Sequence, residues 1–256
     1  MSASIYFDGN NDYLNVIGTN SQLEISAAQN FTLEMFVYFA TGAATDLYDA
    51  RPASTNGFYI YLTKNASEQI VFHTNSANQI TSTNAVALNT WHHIALVRTG
   101  AGAQAIGTTK LYVNGYEEGV LNIDANSYIN GTNRPVIGAG GFTLGNNDFA
   151  GYISNLRLVV GTAVYTSNFS PPTRKLTNIT NTQLLLANDN AVGNIRDNSS
   201  NNFGITVTGT PIISLANPFS LSNYMGEGLI SSEDFNSQEN NDLRNSWRSS
   251  NIGFHY

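Results

Sequence analysis

Apolar residues recur at every second position in short runs along the chain, and turn-forming residues separate the runs. Ile5 and Phe7 alternate, the turn-like DGNND follows, and Tyr13 and Leu14 resume the pattern. In FTLEMFVYF (31–39), Phe31, Leu33, Met35, Val37 and Phe39 share one face, while Thr32, Glu34, Phe36 and Tyr38 share the other. Both faces are partly apolar, as suits an inner strand of a sandwich. FYIYLT (58–63) and QIVFHT (69–74) flank KNASE and predict a hairpin. WHHIALVRT predicts the next strand, and Asn114-Gly115 within KLYVNGYEEG marks a tight type I′ turn. RPVIGAG, FAGYISNLRLVVG and TQLLLAN add three apolar runs, and GITVTGTPIISL (204–215) adds a final pair. No stretch shows the capped periodicity of a three-turn helix. The pattern predicts an all-β sandwich, jelly roll or barrel over residues 1–220.

From about Leu221 the alternation stops. Residues 221–256 are polar and too poor in apolar side chains to offset their own ordering entropy. They read as a polar tail whose Phe235, Leu243, Trp247, Ile252, Phe254 and Tyr256 would attach it to the main body, a neighbouring subunit or another protein.

Composition narrows the function classes. Only 11% of residues are charged, against roughly a quarter in an ordinary domain, so Asn, Ser, Thr and Gly supply most of the polar surface. A net charge of −7 without a basic stripe argues against nucleic acid. The lack of cysteine excludes disulfides and thiolate metal sites. MSASIYFDGN has no basic segment followed by an apolar stretch, and no run reaches the ~18 apolar residues of a membrane span. The expectation is a chain neither exported by a signal peptide nor inserted into a membrane. Six N-x-S/T sequons, at Asn30, Asn65, Asn130, Asn168, Asn178 and Asn198, read as by-products of an Asn- and Thr-rich composition.

SIYFDGNNDYLNV, FTLEMFVYF, WHHIALVRTG with TKLYVNGYEEG, and FAGYISNLRLVVGTAVYTSNFSPP, in this order, resemble the laminin-G-like, concanavalin A-like domain of the type found in bacteriophage structural proteins. NTQLLLAN and IRDNSSNNFGITVTGTPIISLANPFS resemble its closing segment. The resemblance implies two antiparallel sheets in a curved jelly-roll sandwich, with Trp91, Phe31, Phe36, Phe149 and Phe169 as core packing. Tyr152 follows Gly151 where animal laminin-G domains commonly carry a cysteine, which moves the resemblance toward the viral or bacterial branch. Rim calcium sites in some relatives imply Asp148 as a candidate ligand, with Asp46 and Asp49, or Asp124, beside it. Calcium wants six to eight oxygens, usually several of them carboxylates, and one matched Asp favours a structural loop without metal.

Candidate chemistry is sparse. Strand alternation puts His92 with Ile94, Leu96 and Arg98, and His93 with Trp91, Ala95 and Val97, so the adjacent histidines cannot easily share a metal or substrate. His73 lies on a different strand. Glycoside hydrolysis needs two carboxylates across one cleft, whereas Glu34 is alone in its strand, Glu117 and Glu118 point apart, and Glu233-Asp234 fall in the tail. Neither a G-x-S-x-G elbow nor a Walker loop is present. The expected function is a non-enzymatic virion structural protein, such as a capsid decoration, fibre or tail-associated component, assembled in the host cytoplasm. Its expected partners are other virion proteins, further copies of itself and a host surface glycan. The alternative is a carbohydrate-binding adhesin module, with Tyr48, Tyr128, Asn146 and Asp148 in loops 46–57, 124–134 and 140–148 as glycan contacts. A glycoside hydrolase ranks last.

Overall fold

The computed structural model describes residues 2–103, 105–187, 189 and 194–219. The attachment residues Phe235, Leu243, Trp247, Ile252, Phe254 and Tyr256 lie outside them. In chain order the strands are β1 (Ser4–Asp8), β2 (Tyr13–Val16), β3 (Phe31–Phe39), β4 (Thr45–Asp49), β5 (Tyr61–Lys64), β6 (Ile70–Thr74), β7 (Ala77–Thr81) and β8 (Trp91–Thr99). They continue with β9 (Gly107–Val113), β10 (Tyr116–Asp124), β11 (Val136–Ile137), β12 (Ala150–Val160), β13 (Thr182–Leu186), β14 (Ile205–Thr208) and β15 (Ile212–Ser214).

One sheet has the order β10-β9-β8-β3-β12-β1-β15, with β13 also on β12, and the other the order β14-β2-β11-β4-β5-β6-β7. All pairings are antiparallel. This is the expected two-sheet sandwich. Phe31, Leu33, Met35, Val37 and Phe39 of β3 all join the buried core, facing Leu62 and Phe72 of the other sheet's β5 and β6. Burial of each such side chain contributes about 1.5–3 kcal/mol. The final strands β14 and β15 do not pair with each other. β14 adds to β2 and β15 to β1, because the chain turns at Gly209 (φ 76°) and crosses the sandwich edge, where Asp12 accepts the Thr210 N–H.

The outer face of the larger sheet is partly covered. After β12 an irregular strap, 161–176, crosses it and lays Ala163, Tyr165 and Phe169 on Ala95, Val97 and Tyr112. The Asn114-Gly115 turn holds the strap: Phe169 N–H donates to the Gly115 carbonyl (2.9 Å). Asn114 and Gly115 have φ of 52° and 80°, as a type I′ turn requires, and a Cβ at Gly115 would lie 1.8 Å from the Phe169 carbonyl oxygen.

Under the strap, Glu34 is fully buried and ties four segments together. It accepts from Arg157 Nε (2.9 Å) and Nη2 (2.6 Å) of β12 and from the Tyr165 hydroxyl (2.7 Å) of the strap. The His93 imidazole of β8 contacts it through Nε2 at 3.1 Å. An ionised carboxylate only accepts, so Nε2 carries the proton. Burial pushes the Glu34 carboxyl up, but the His93 hydrogen bond and the Arg157 charge outweigh burial and hold it below its ordinary value of 4.5. A carboxyl held low in the folded state contributes stability above its unfolded value and loses it as pH falls. Glu34→Gln leaves Arg157 buried without its counter-charge. It is expected to cost about 3–5 kcal/mol at pH 7, and thermal unfolding should show this difference shrinking below pH 4.5.

Candidate functional site

A strand irregularity gathers the polar residues of the smaller sheet. Asp46 and Asp49 are three apart and would point to opposite faces of a regular strand. In β4 the register shifts between Asp46 and Tyr48, leaving Leu47 as an extra residue that enters the core. A bulge of this kind re-aims the side chains that flank it. Asp46 now stands opposite Thr63, and Asp49 stands in one row with Tyr61 and His73. Both carboxylates therefore reach the sheet's outer face.

There they meet the loop between β11 and β12. Asp49 accepts from Arg51 N and Nε (both 2.9 Å) and Nη2 (2.7 Å), and from the backbone N–H groups of Gly141 (2.7 Å) and Phe142 (3.3 Å). The Arg51 guanidinium lies 3.8 Å from the Tyr61 ring centroid and 5.3 Å from that of Phe142. Its bonds to Asp49 use Nε and Nη2. Among the described residues Nη1 donates to no protein acceptor.

Asp46 forms the floor and is 1% exposed. It accepts from the Tyr61 hydroxyl at 2.5 Å and from Asn147 Nδ2 at 3.5 Å. Burial, opposed by the Tyr61 hydrogen bond and reinforced by the Asp49 charge, raises its pKa from 3.8 to about 6. Burial and the neighbouring Asp46 also push the Tyr61 phenol up. The result is a polar cup of about 190 Å³ lined by Asp46, Arg51, Tyr61, Gly140, Phe142, Thr143, Asn146 and Asn147. Thr143, Asn146 and Asn147 are exposed on its rim. Of three roomier clefts, one is lined almost wholly by alanines beside Gly102 and Ile106, and the other two gather no comparable set of groups. One is mainly apolar, between Ile195, Ile205, Val207 and Ile212. In the other, Asn84 pairs with Glu118, and His92 with the Ala87 carbonyl and Asn114.

The expected contact residues separate sharply. Asn146 lies on the cup rim. Tyr48 and Tyr128 are not exposed stacking faces: they are 2% and 1% exposed. Tyr48 faces inward because β4 pairs it with Leu62. Tyr128 packs edge-on to Phe31 and Phe72, with its hydroxyl donating to Asp124 at 2.8 Å. Asp124 itself is buried and satisfied by Thr109, Tyr128, Asn126 and Arg98, so it is no rim ligand for calcium. Asp148 Oδ2 accepts the Asn11 N–H (2.7 Å) and ties the β1–β2 turn to the cup loop, while Oδ1 is buried without a protein partner. Among the described residues no three His, Asp or Glu side chains gather as a metal group. Among the described residues Asp148 belongs to no group of three such side chains, whereas calcium takes six to eight oxygens, usually several of them carboxylates.

Trp91, expected in the core, is half-buried on the outer face of the larger sheet. Arg51, Tyr61 and Phe142 were not singled out by the sequence. Their only advance signal is the Asp-x-x-Asp-x-Arg spacing, which acquires meaning only through the bulge.

The family profile described as the concanavalin A-like lectin/glucanases superfamily, of the laminin-G type, matches residues 8–167, more than half of the chain. The chain belongs to this superfamily. Its fold is similar to that of the native heptameric SAP-like pentraxin from Limulus polyphemus, with 16% identity and a TM-score of 0.57 over 86% of this chain and 97% of the pentraxin. It is also similar to a Bacteroides ovatus ATCC 8483 protein provisionally assigned as carbohydrate-binding, with 16% identity and a TM-score of 0.57. That match covers 86% of this chain and 62% of the longer one. No curated protein sequence matches the chain. The sandwich is thus lectin-like in fold.

Asp46 carries a cost that a stability measurement detects. A carboxyl raised from 3.8 to about 6 destabilises the folded state as pH rises through that window, by up to about 3 kcal/mol. Asp46→Asn is therefore expected to raise the melting temperature by several degrees at pH 7.5, with the gain vanishing toward pH 3.8.

Proposed function

We propose that the protein is a non-enzymatic carbohydrate-recognition module whose cup on the smaller sheet holds one sugar unit. The supporting observation is the fixed Arg51: Asp49 and Tyr61 immobilise its guanidinium and leave Nη1 for a ligand hydroxyl. A pre-oriented donor loses little entropy on binding. Asn146, Asn147 and Thr143 add amide and hydroxyl groups to the rim, and Phe142 adds an apolar face. A few convergent polar groups beside an aromatic ring suit a polyhydroxylated ligand.

Two carboxylates line this region, yet they do not form a hydrolytic pair. Both Asp49 oxygens are occupied by Arg51 and backbone N–H groups, so Asp49 is not free to act as nucleophile or base. Recognition without turnover is the reading this supports.

Arg51→Ala is expected to lower affinity at least tenfold for whichever single sugar unit an array of neutral and sialylated monosaccharides identifies. Equal binding by wild type and variant would exclude the cup. The array is run with calcium and with chelator; the cup reading expects equal signals, because its groups need no metal to bind a hydroxyl.

The sequence resemblance to bacteriophage structural proteins supports a setting for this module: display on a virion, with residues 221–256 as the attachment segment and other virion proteins as partners. Met1–Phe219 forms one compact unit by itself. Deleting 221–256 is then expected to abolish incorporation into particles while thermal unfolding of the sandwich stays unchanged. Normal incorporation of the truncated protein would overturn the attachment role.

A further inference from the structure

The outer face of the larger sheet carries a row of aromatic residues that neither the core nor the cup uses. Tyr6 of β1 stands directly opposite Tyr152 of β12, Tyr152 opposite Tyr38 of β3, and Tyr38 opposite Trp91 of β8. Ring centroids along the row are 5.0, 5.6 and 5.8 Å apart. The neighbours of these residues in sequence, Ile5, Phe7, Val37, Phe39 and Ile153, point into the core; the four rings point away from it and are half-buried. With strands about 4.8 Å apart, the row is about 14 Å long and one side chain wide. Ile212 of β15, opposite Tyr6 and 57% exposed, extends it by one strand.

Part of the rest of this face is covered. The strap lies over Ala95, Val97 and Tyr112, and Phe219 packs edge-on against Phe36 at 5.1 Å. The row begins two residues beyond Phe36 on β3, where the cover given by the described residues ends.

The composition and size of the row select its occupant. It contains neither a carboxylate nor a basic side chain, so it offers no charge complementarity to an ionic partner. A strip this narrow falls well short of the roughly 800 Å² per partner that a stable protein interface buries, which argues against a second copy. Three phenols and an indole in single file offer apolar ring surface and, at their tips, hydrogen-bonding groups. The C–H faces and outward hydroxyls of pyranose rings in a chain are complementary to that combination.

We propose that Tyr6, Tyr152, Tyr38 and Trp91 form a stacking track for a neutral oligosaccharide chain, on the sheet opposite the cup. The proposal rests on the carbohydrate-recognition reading but assigns a different site and a longer ligand. The chain has two tryptophans, Trp91 and Trp247, so in the full-length Trp247→Phe protein Trp91 is the single indole reporter. Cellohexaose, chitohexaose, maltohexaose and mannohexaose, with their monosaccharides, are titrated while Trp91 emission is followed. At least one hexasaccharide is expected to shift the emission saturably, with its monosaccharide at least tenfold weaker. Tyr152→Ala and Tyr38→Ala should each weaken that response about tenfold, and Tyr152→Phe should preserve it, with unfolding curves confirming that each variant is folded. Arg51→Ala should leave it unchanged, so loss of the cup and loss of the track are read separately. The proposal is overturned if no hexasaccharide perturbs Trp91, if folded Tyr152→Ala responds as the parent does, or if sedimentation shows the row buried between two copies.

Discussion

The ionised Glu34 carboxylate, buried beneath the strap, is the interaction around which the larger sheet is organised. A buried charge is costly unless every oxygen is answered, and here the partners come from three different segments: Arg157 on β12, His93 on β8 and Tyr165 on the strap. Each partner is far from Glu34 in sequence, so the charge can be satisfied only when these segments are assembled together. The strap then covers Ala95, Val97 and Tyr112, and Phe219 covers Phe36 beside the aromatic row.

The smaller sheet solves the opposite problem. Its polar residues answer one another yet leave one donor, Arg51 Nη1, without a protein acceptor among the described residues. The bulge at Leu47 sends one apolar side chain inward and turns two carboxylates outward. Asp49 is then spent on positioning, gripping both Arg51 and the Gly141–Phe142 backbone. Asp46 remains at the floor with its carboxyl pushed up to about 6, a state the fold tolerates at some expense of stability. Groups kept in an unfavourable protonation balance beside a cavity are commonly functional, and this contrast with the satisfied Glu34 separates the structural polar cluster from the candidate binding one.

The histidines illustrate how far strand geometry alone carries. Alternation separates His92 from His93, and each ends in a packing role, one beside the Ala87 carbonyl and Asn114, the other on Glu34. Neither approaches His73, which belongs to the other sheet beside Tyr61. Aromatic residues are less legible. Phe31 and Phe149 enter the core as the resemblance implies, but Tyr48 goes inside and Trp91 outside, against expectation. Tyr48 follows the bulge, and Trp91 lies on a sheet face that cover reaches only in part.

What the sequence by itself determined was the strand content, the Asn114-Gly115 turn, the inward set of β3 and the membership of a lectin-like sandwich superfamily. The first three rest on local period and on backbone angles, which neighbouring residues encode, and the last on the order of segments that resemble the family. Tertiary structure alone decided that Asp46, Arg51, Tyr61 and Asn146 form one cup, that Glu34 is a satisfied hub and that four aromatics on four strands align in a row. Such groupings depend on pairing register and on one unpaired residue in β4, and register is set by contacts between segments distant along the chain.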